Sequence, residues 1–329
     1  MSNCIVEENK RMSLNSQLTW QDRLGSLRVY LGILRDNYQV QAGLYSLGNP
    51  SEDAPVLVTA NYKLTVDVLR AALQGRNLWI LVLDTKGVNV WCAAGKGTFS
   101  TQAVIQAIEE NNLQEVLTSR LIILPQLAAT GVAAHAVQQA TGFKTIFGPV
   151  KAADLSEFLD RGNHKTAEES KITFTLSERF LVSLADLKNT LRDMLVVFGL
   201  MFCLNMLKQD IFQTRDAGAY FLAIITGSII TPLLLPYIPV AAFSLKGWFL
   251  GVVLMLGYLK LLGMDLSALF LAYLLIFPAI SAYYALNYTG SSTYTSLSGV
   301  EKETRLAIPW LILSLVCGIV IFVLVKGVG

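Results

Sequence analysis

Residues 77–99 read NLWILVLDTKGVNVWCAAGKGTF. The first eight form a short apolar run that reads as a buried strand. Val88–Trp91 then leads into a helix carrying TQAVIQAIEENN (101–112). A cysteine, Cys92, therefore stands where a strand turns into a helix, beside a Gly-Lys-Gly.

The same alternation continues on both sides. PVLVTA (55–60) is a strand followed by a helix over 62–73; RLIILP (120–125) is a third strand, followed by the small-residue helix LAATGVAAHAVQQATG. KTIFGPV (144–150) is a fourth strand, AADLSEFLDRG a further helix, and KITFT (171–175) a candidate fifth strand. Strands alternating with helices of this length imply βαβ units and a mostly parallel sheet, whose ligands bind at the carboxyl ends of the strands. Those ends are 59–61, 87–91, 125–126 and 148–149. Residues 1–50 are less regular and read as an N-terminal arm or extension.

The C-terminal part is of a different physical class. Only 15% of the 329 residues are charged, and of those 50 side chains 36 lie in 1–191 and 14 beyond. A helix crosses the hydrocarbon core with about 20 mostly apolar residues. Five stretches meet or approach that requirement, at about 188–207, 217–239, 242–262, 266–286 and 306–325, with Pro232 and Pro236 expected to kink the second. No span carries an ionisable residue at mid-depth, which argues for anchoring rather than transport. The expected organisation is therefore 1–50 extension, 51–187 soluble α/β domain, and 188–329 an all-α transmembrane domain.

Net charge is +2 with no Lys/Arg run, which excludes the usual electrostatic footprint of a nucleic-acid binder. The four cysteines (4, 92, 203, 317) show no pairing rhythm, so a reducing compartment is expected. The first twenty residues lack the apolar core of a signal peptide, so the soluble domain is expected in the cytoplasm.

Position counting removes several readings of the opening stretch. A phosphate loop requires a glycine where Val90 stands and a Ser or Thr where Gly97 stands. A dinucleotide fingerprint fits Gly95 and Gly97 but meets Ser100 at its third position. A cysteine nucleophile needs a base, and the two histidines read as a partly buried His135 on a helix and a solvated His164. Zinc needs three or four ligands, which one cysteine and two distant histidines do not supply. Two readings remain open. Cys92 is a buried cysteine at a tight helix start, or it is a single soft ligand to a metal that a cofactor already holds. For the latter, a helix start favours a thiolate, and Ala93, Ala94 and Gly95 leave room for a flat ligand.

NVWCAAGKGTF (89–99) resembles the cap-helix signature of the HgcA family, the membrane corrinoid proteins of microbial mercury methylation. Their corrinoid domain is shared with the large subunit of the corrinoid iron–sulfur protein. The resemblance covers roughly residues 50–329, and the five-span tail matches only the mercury-methylation family. It implies a Rossmann-like corrinoid-binding domain followed by an all-α transmembrane domain of about five helices. It further implies a cobalamin-type cofactor whose cobalt takes Cys92 as its lower axial ligand, making Cys92 the catalytic residue. Asn89, Val90, Trp91, Ala93, Ala94, Gly95, Lys96 and Gly97 would complete the cap. Thr59, Asn61, Gln126 and Gly148 are placed as rim contacts by the strand-end rule.

The activity implied is methyl transfer. Cobalt(I) accepts a methyl cation from a methyltetrahydrofolate-type donor, and methyl-cobalt(III) passes it to mercury(II), giving methylmercury. The oxidised cobalt must then be reduced, and the implied partner is a ferredoxin-like protein of the HgcB type with two 4Fe–4S clusters. The implied location is the cell membrane, multi-pass and in contact with lipid, with the corrinoid domain cytoplasmic. The alternatives are a membrane-anchored corrinoid methyl carrier with another acceptor, and a membrane receptor with a nucleotide-binding head.

Overall fold

In the computed structural model, which describes residues 12–33, 37–207 and 211–328, the chain divides into two compact units. They part between Ile172 and Thr173, and a short stretch, Tyr30–Ile33, is grouped with the second.

The first unit is α/β. Its elements run β1 (Met12–Leu14), α1 (Trp20–Tyr30), β2 (Gly43–Leu47), β3 (Val56–Ala60), α2 (Lys63–Ala72), β4 (Leu78–Leu83), α3 (Val90–Lys96), α4 (Thr101–Glu110), α5 (Leu113–Val116), β5 (Leu121–Leu124), α6 (Ala134–Thr141), β6 (Lys144–Phe147) and α7 (Leu155–Asp160). Six strands form one sheet in the order β1-β2-β4-β3-β5-β6. β3, β4, β5 and β6 are mutually parallel, and β2 runs antiparallel to β4.

Every residue of β3 and β4 is buried, because the sheet is covered on both faces. On one face Val56, Val58, Ala60, Leu81 and Leu83 pack with Val90, Ala93 and Ala94 of α3, Val104 and Ile108 of α4 and Val137 of α6. On the other, Leu57, Ile80 and Val82 pack with Leu69 of α2 and Leu155 and Phe158 of α7.

The sequence reading is corrected at four points. KITFT is not a strand; Lys171–Thr175 lies outside any strand and α8 (Leu176–Leu207) begins directly after it. The stretch set aside as an extension supplies β1 and β2 to the sheet. The one helix expected after Val88–Trp91 is two helices, because Gly97 takes a left-handed conformation (φ 80°) and ends α3. The small-residue helix shortens to α6, since a 3-10 turn at Gln126–Ala128 and the turn through Gly131 precede it.

A buried ionic cluster joins the N-terminal segment to α2. Lys63 lies 2.5 Å from Asp22 and 2.7 Å from Asp67, while Arg70 lies 2.7 Å from Asp22 and 2.8 Å from Asp67. Burial alone would raise the Asp22 carboxyl, but hydrogen bonds from Lys63, Thr19 and Arg70 outweigh it and hold the group far below the ordinary range. A depressed folded-state pKa contributes stability above the unfolded value of 3.8 and loses it as pH falls toward the folded value. Amide-exchange protection of α1 and α2, corrected for intrinsic rates, is therefore expected to drop between about pH 4 and pH 2. The Asp22→Asn variant is expected to be weaker at neutral pH and flatter across that window.

The second unit is all-α: α8, α9 (Thr214–Ile225), α10 (Thr231–Leu234), α11 (Phe243–Leu261), α12 (Ala268–Asn287) and α13 (Leu297–Val328). Five helical segments are long and apolar enough to cross a membrane: Thr190–Leu207, Thr214–Tyr237, Phe243–Leu261, Ala268–Ser291 and Ser298–Lys326. The second is not one straight helix. A π-helical turn at Thr226–Ile230 precedes α10, where Pro232 stands at the start, and a 3-10 turn at Leu235–Tyr237 holds Pro236. Serine and threonine hydroxyls in this unit donate to backbone carbonyls, as Ser281 does to Ala223 (2.9 Å) and Ser314 to Leu275 (2.8 Å).

Close helix packing depends on glycine. A Cβ on Gly251 of α11 would stand 2.9 Å from both the Cα of Pro278 and the Cβ of Ser281 on α12. Overpacking of this kind costs about 1–3 kcal/mol. Gly251→Val is expected to lower the melting temperature of the detergent-solubilised chain, whereas Gly257→Val, with nothing within 4 Å of its Cβ position, is expected to leave it unchanged.

Candidate functional site

The connections out of β3 and β4 set the site. β3 reaches β4 through α2 on one face, and β4 reaches β5, on the other side of β3, through α3 and α4 on the opposite face. The strand order therefore reverses at β3, and the carboxyl ends of β3 and β5 are the place where ligands of such sheets bind. Asn61 follows β3 there, and Pro125 and Gln126 follow β5.

The loop from β4 to α3 is shaped by one buried amide. Asn61 Oδ1 accepts from the N–H groups of Thr85 (3.1 Å) and Gly87 (2.9 Å), and Thr85 Oγ1 lies 2.9 Å away. The Thr85 hydroxyl has one proton, and Val88 O at 2.7 Å is its alternative acceptor. The Asn61 amide N–H₂ donates to Asp84 Oδ1 (3.1 Å) and Gln39 Oε1 (3.4 Å). These bonds stabilise two successive left-handed residues, Lys86 (φ 58°) and Gly87 (φ 71°), which turn the chain back toward the rim. Lys86 Nζ pairs with Asp84 (2.5 Å), and this contact draws the Asp84 carboxyl below its ordinary range.

α3 then starts on Asn89, whose side-chain oxygen accepts from the Cys92 N–H (2.9 Å). Asparagine is favoured there because it satisfies one of the free donors of a helix start. Val90, Ala93 and Ala94 are buried against the sheet, whereas Trp91 and Cys92 are half-buried and Gly95, Lys96 and Gly97 exposed. Phe99, fully buried, anchors the exit, and its N–H donates to Ala93 O (3.1 Å). Gly131 lets the following turn approach α3 closely: a Cβ there would lie 3.0 Å from Ala94 O and 2.5 Å from Phe99 O. The result is a short helix seated on small residues, with Cys92 as a free, partly exposed thiol.

The structure brings some of the expected residues together. Residues 89–97 form α3 and its two caps, and α3 packs on β3 and on the Gln126–Ala128 turn, next to Asn61. Asn61 is 4% exposed, so it organises the rim from within. Thr59 is buried inside β3, opposite Val82 in the register. Gly148 follows β6, two strands from β3, where its N–H donates to Leu124 O (2.8 Å). His135 is exposed, not partly buried, because α6 starts one residue before it and turns Val137 inward; His164 is exposed as expected.

Sequence reasoning missed Lys165. Its ammonium donates to Gln126 Oε1 and is half-buried; burial pushes its pKa down, against the opposing pull of Glu169. It lies 39 positions from Gln126, in a polar loop that nothing local assigns to the rim. Among the described residues no group of three or more His, Cys, Asp and Glu side chains is arranged to hold a metal ion. Cys203 and Cys317 are exposed on helices of the second unit, and Cys4 lies outside the described residues.

The fold and this rim define, among the described residues, an α/β domain with a topological switch point and one half-buried thiol, Cys92, on the helix beside it. Residues 29–159 match the family model of the CO dehydrogenase/acetyl-CoA synthase delta subunit. The chain is similar to proteins named acetyl-CoA decarbonylase/synthase complex subunit gamma: 34% identical over 137 residues to that of Methanopyrus kandleri, 31% over 129 to that of Archaeoglobus fulgidus and 31% over 134 to that of Methanocaldococcus jannaschii. The matches cover 41%, 39% and 40% of this chain and 29%, 27% and 27% of those subunits. The chain thus spans under a third of the length of the curated relatives it matches.

Proposed function

We propose that the chain is a membrane-anchored corrinoid protein that transfers a methyl group to mercury(II). The observation that carries this reading is the free, half-buried thiol of Cys92 on α3, a helix that packs on β3 and the Gln126–Ala128 turn beside the switch point. A metal held equatorially by a macrocycle needs one axial protein ligand, and the donor set here is one cysteine. The backing of α3 also fits a broad planar group, since Ala93 and Ala94 are sunk into the core and Gly95 leaves the outer face bare.

A bound corrinoid would supply the cobalt that carries the methyl group between donor and acceptor. The chain's own residues do the positioning. Cys92 would hold the cobalt through its sulfur, while Asn89 fixes the Cys92 backbone and Val90 pins the helix to the sheet. Trp91, Lys96 and Gly97 would border the bound group, Gln126 would meet it at the end of β5, and the buried Asn61 and Thr59 would support the rim from within, with Gly148 farther off after β6. A thiolate is a strong donor, and the identity of an axial ligand is a main lever on such a metal. The methyl donor is of the methyltetrahydrofolate type. The required reductant, as the resemblance implies, is a ferredoxin-like partner with two 4Fe–4S clusters. The helical unit from Thr173 onward forms the membrane domain, and the α/β unit, which includes β1 and β2 and ends at Ile172 rather than at 187, is the corrinoid domain, in the cytoplasm.

The test is anaerobic purification of the full chain, followed by cobalt analysis and methylmercury assay with reductant and methyl donor. About one cobalt per chain with methylmercury formation is expected; no cobalt overturns the reading. Similarity to subunits of the acetyl-CoA decarbonylase/synthase complex favours a second reading, a corrinoid methyl carrier with a different acceptor. Bound cobalt and methyl acceptance without methylmercury would select it.

A further inference from the structure

α11 and α13 both pack against α12 and leave a groove between their starting ends, with a cavity of about 750 Å³. That volume lies within the range of about 300–1,000 Å³ typical of ligand sites. The groove has a polar mouth and an apolar shaft. Ser244, Thr295, Lys302 and Glu303 stand at the mouth, and Trp248, Leu306, Ala307, Trp310 and Leu311 line the shaft.

Glu303 Oε1 accepts from the N–H (2.7 Å) and hydroxyl (2.8 Å) of Ser244, which holds this carboxylate against the start of α11. The Lys302 side chain is exposed and makes no hydrogen bond or ion pair among the described residues. Its ammonium is therefore the charged group at the mouth that is open to an occupant.

The length of the shaft matches one leaflet. From Lys302 to Ser314, α13 rises about 18 Å at about 1.5 Å per residue. Half of the hydrocarbon core is about 15 Å. Trp310 is 72% exposed and Leu306 58%, so the shaft is open along its side.

We propose that this groove is a binding site for an anionic membrane phospholipid, one acyl chain lying along Trp248 and Trp310 and the phosphate meeting Lys302. The inference rests on the reading of these helices as membrane-spanning. A hydroxyl-bearing mouth with one unpaired ammonium suits a phosphate, and an apolar channel of leaflet length suits an acyl chain.

The test uses the full chain in phosphatidylcholine vesicles containing phosphatidylglycerol with a photoreactive acyl chain. Crosslinks are expected to concentrate on the peptides carrying Trp248 and Trp310. Ala307→Trp, which fills the shaft, is expected to reduce them to the level of the outer face of α13 around Val320, where labelling stays unchanged. Lys302→Glu is expected to weaken labelling about fivefold for the phosphatidylglycerol probe, from about 1 kcal/mol per basic residue at an anionic surface, and not for a phosphatidylcholine probe. Labelling that survives Ala307→Trp, or equal labelling of wild type by both probes, overturns the proposal. Release of the chain from membranes by alkaline carbonate would instead overturn the membrane-spanning reading beneath it.

Discussion

Cys92→Ala is expected to lower methylmercury formation by at least about 100-fold, the upper range for disturbing the ligand environment of a metal site. The expected cause is chemical rather than structural. Cys92 is half-buried, its side chain is not part of the core that seats α3, and alanine suits a helix start as well as cysteine does. The Asn89 cap bonds the Cys92 backbone, so the substitution leaves it in place. The variant should therefore retain the melting temperature of the wild type. Bound corrinoid, if it survives, should lose the absorption signature of sulfur ligation. A variant that keeps wild-type methylation with an unchanged spectrum would remove Cys92 from the site.

Asn61→Leu is expected to act through the fold. The amide meets the Thr85 and Gly87 N–H groups and Asp84, and at 4% exposure no water replaces it freely. Leaving a buried donor unpaired costs about 1–3 kcal/mol, and two backbone donors are stranded here. A loss of about 3 kcal/mol is expected, read as a fall in thermal stability of the full chain. Exchange protection should fall first at Asp84–Asn89, since the left-handed pair Lys86–Gly87 loses the acceptor that holds it. Asn61→Asp separates geometry from charge: its carboxylate keeps the acceptors but loses the donor facing Asp84, so an intermediate loss is expected. Equal stability of Asn61→Leu and wild type would show that the loop holds itself.

The four parallel strands were legible because a sheet covered on both faces demands unbroken apolar runs, and LWILVL and LIIL supply them. β2, GLYSL, carries a glycine and a serine, and β1 has three residues. β2 exists only because β4, more than thirty positions away, offers it an edge, and β1 only because β2 in turn offers one. The apolar helices were legible by length and composition, whereas the π-turn that breaks the second was not, because it depends on packing against α12. At the site, the strand-end rule placed Asn61 on the rim, but the inward turn of its amide follows from the loop it meets. Lys165 was invisible for the same reason. Asn89 was marked as part of the cysteine motif, and its work as the helix cap emerges only with the backbone geometry.

α12 is fourth of the five apolar helices, yet Gly227, Gly247, Gly251 and Gly318 all make their closest approaches to it. During synthesis, the segments bearing the first three of these glycines leave the ribosome before the surface they fit exists. A chain halted near Leu262 displays glycine-lined hollows with no ridge to fill them. Staged truncations are therefore expected to be most protease-sensitive just before α12 is complete, and that interval is the one in which a cell's quality-control machinery has longest access to the chain.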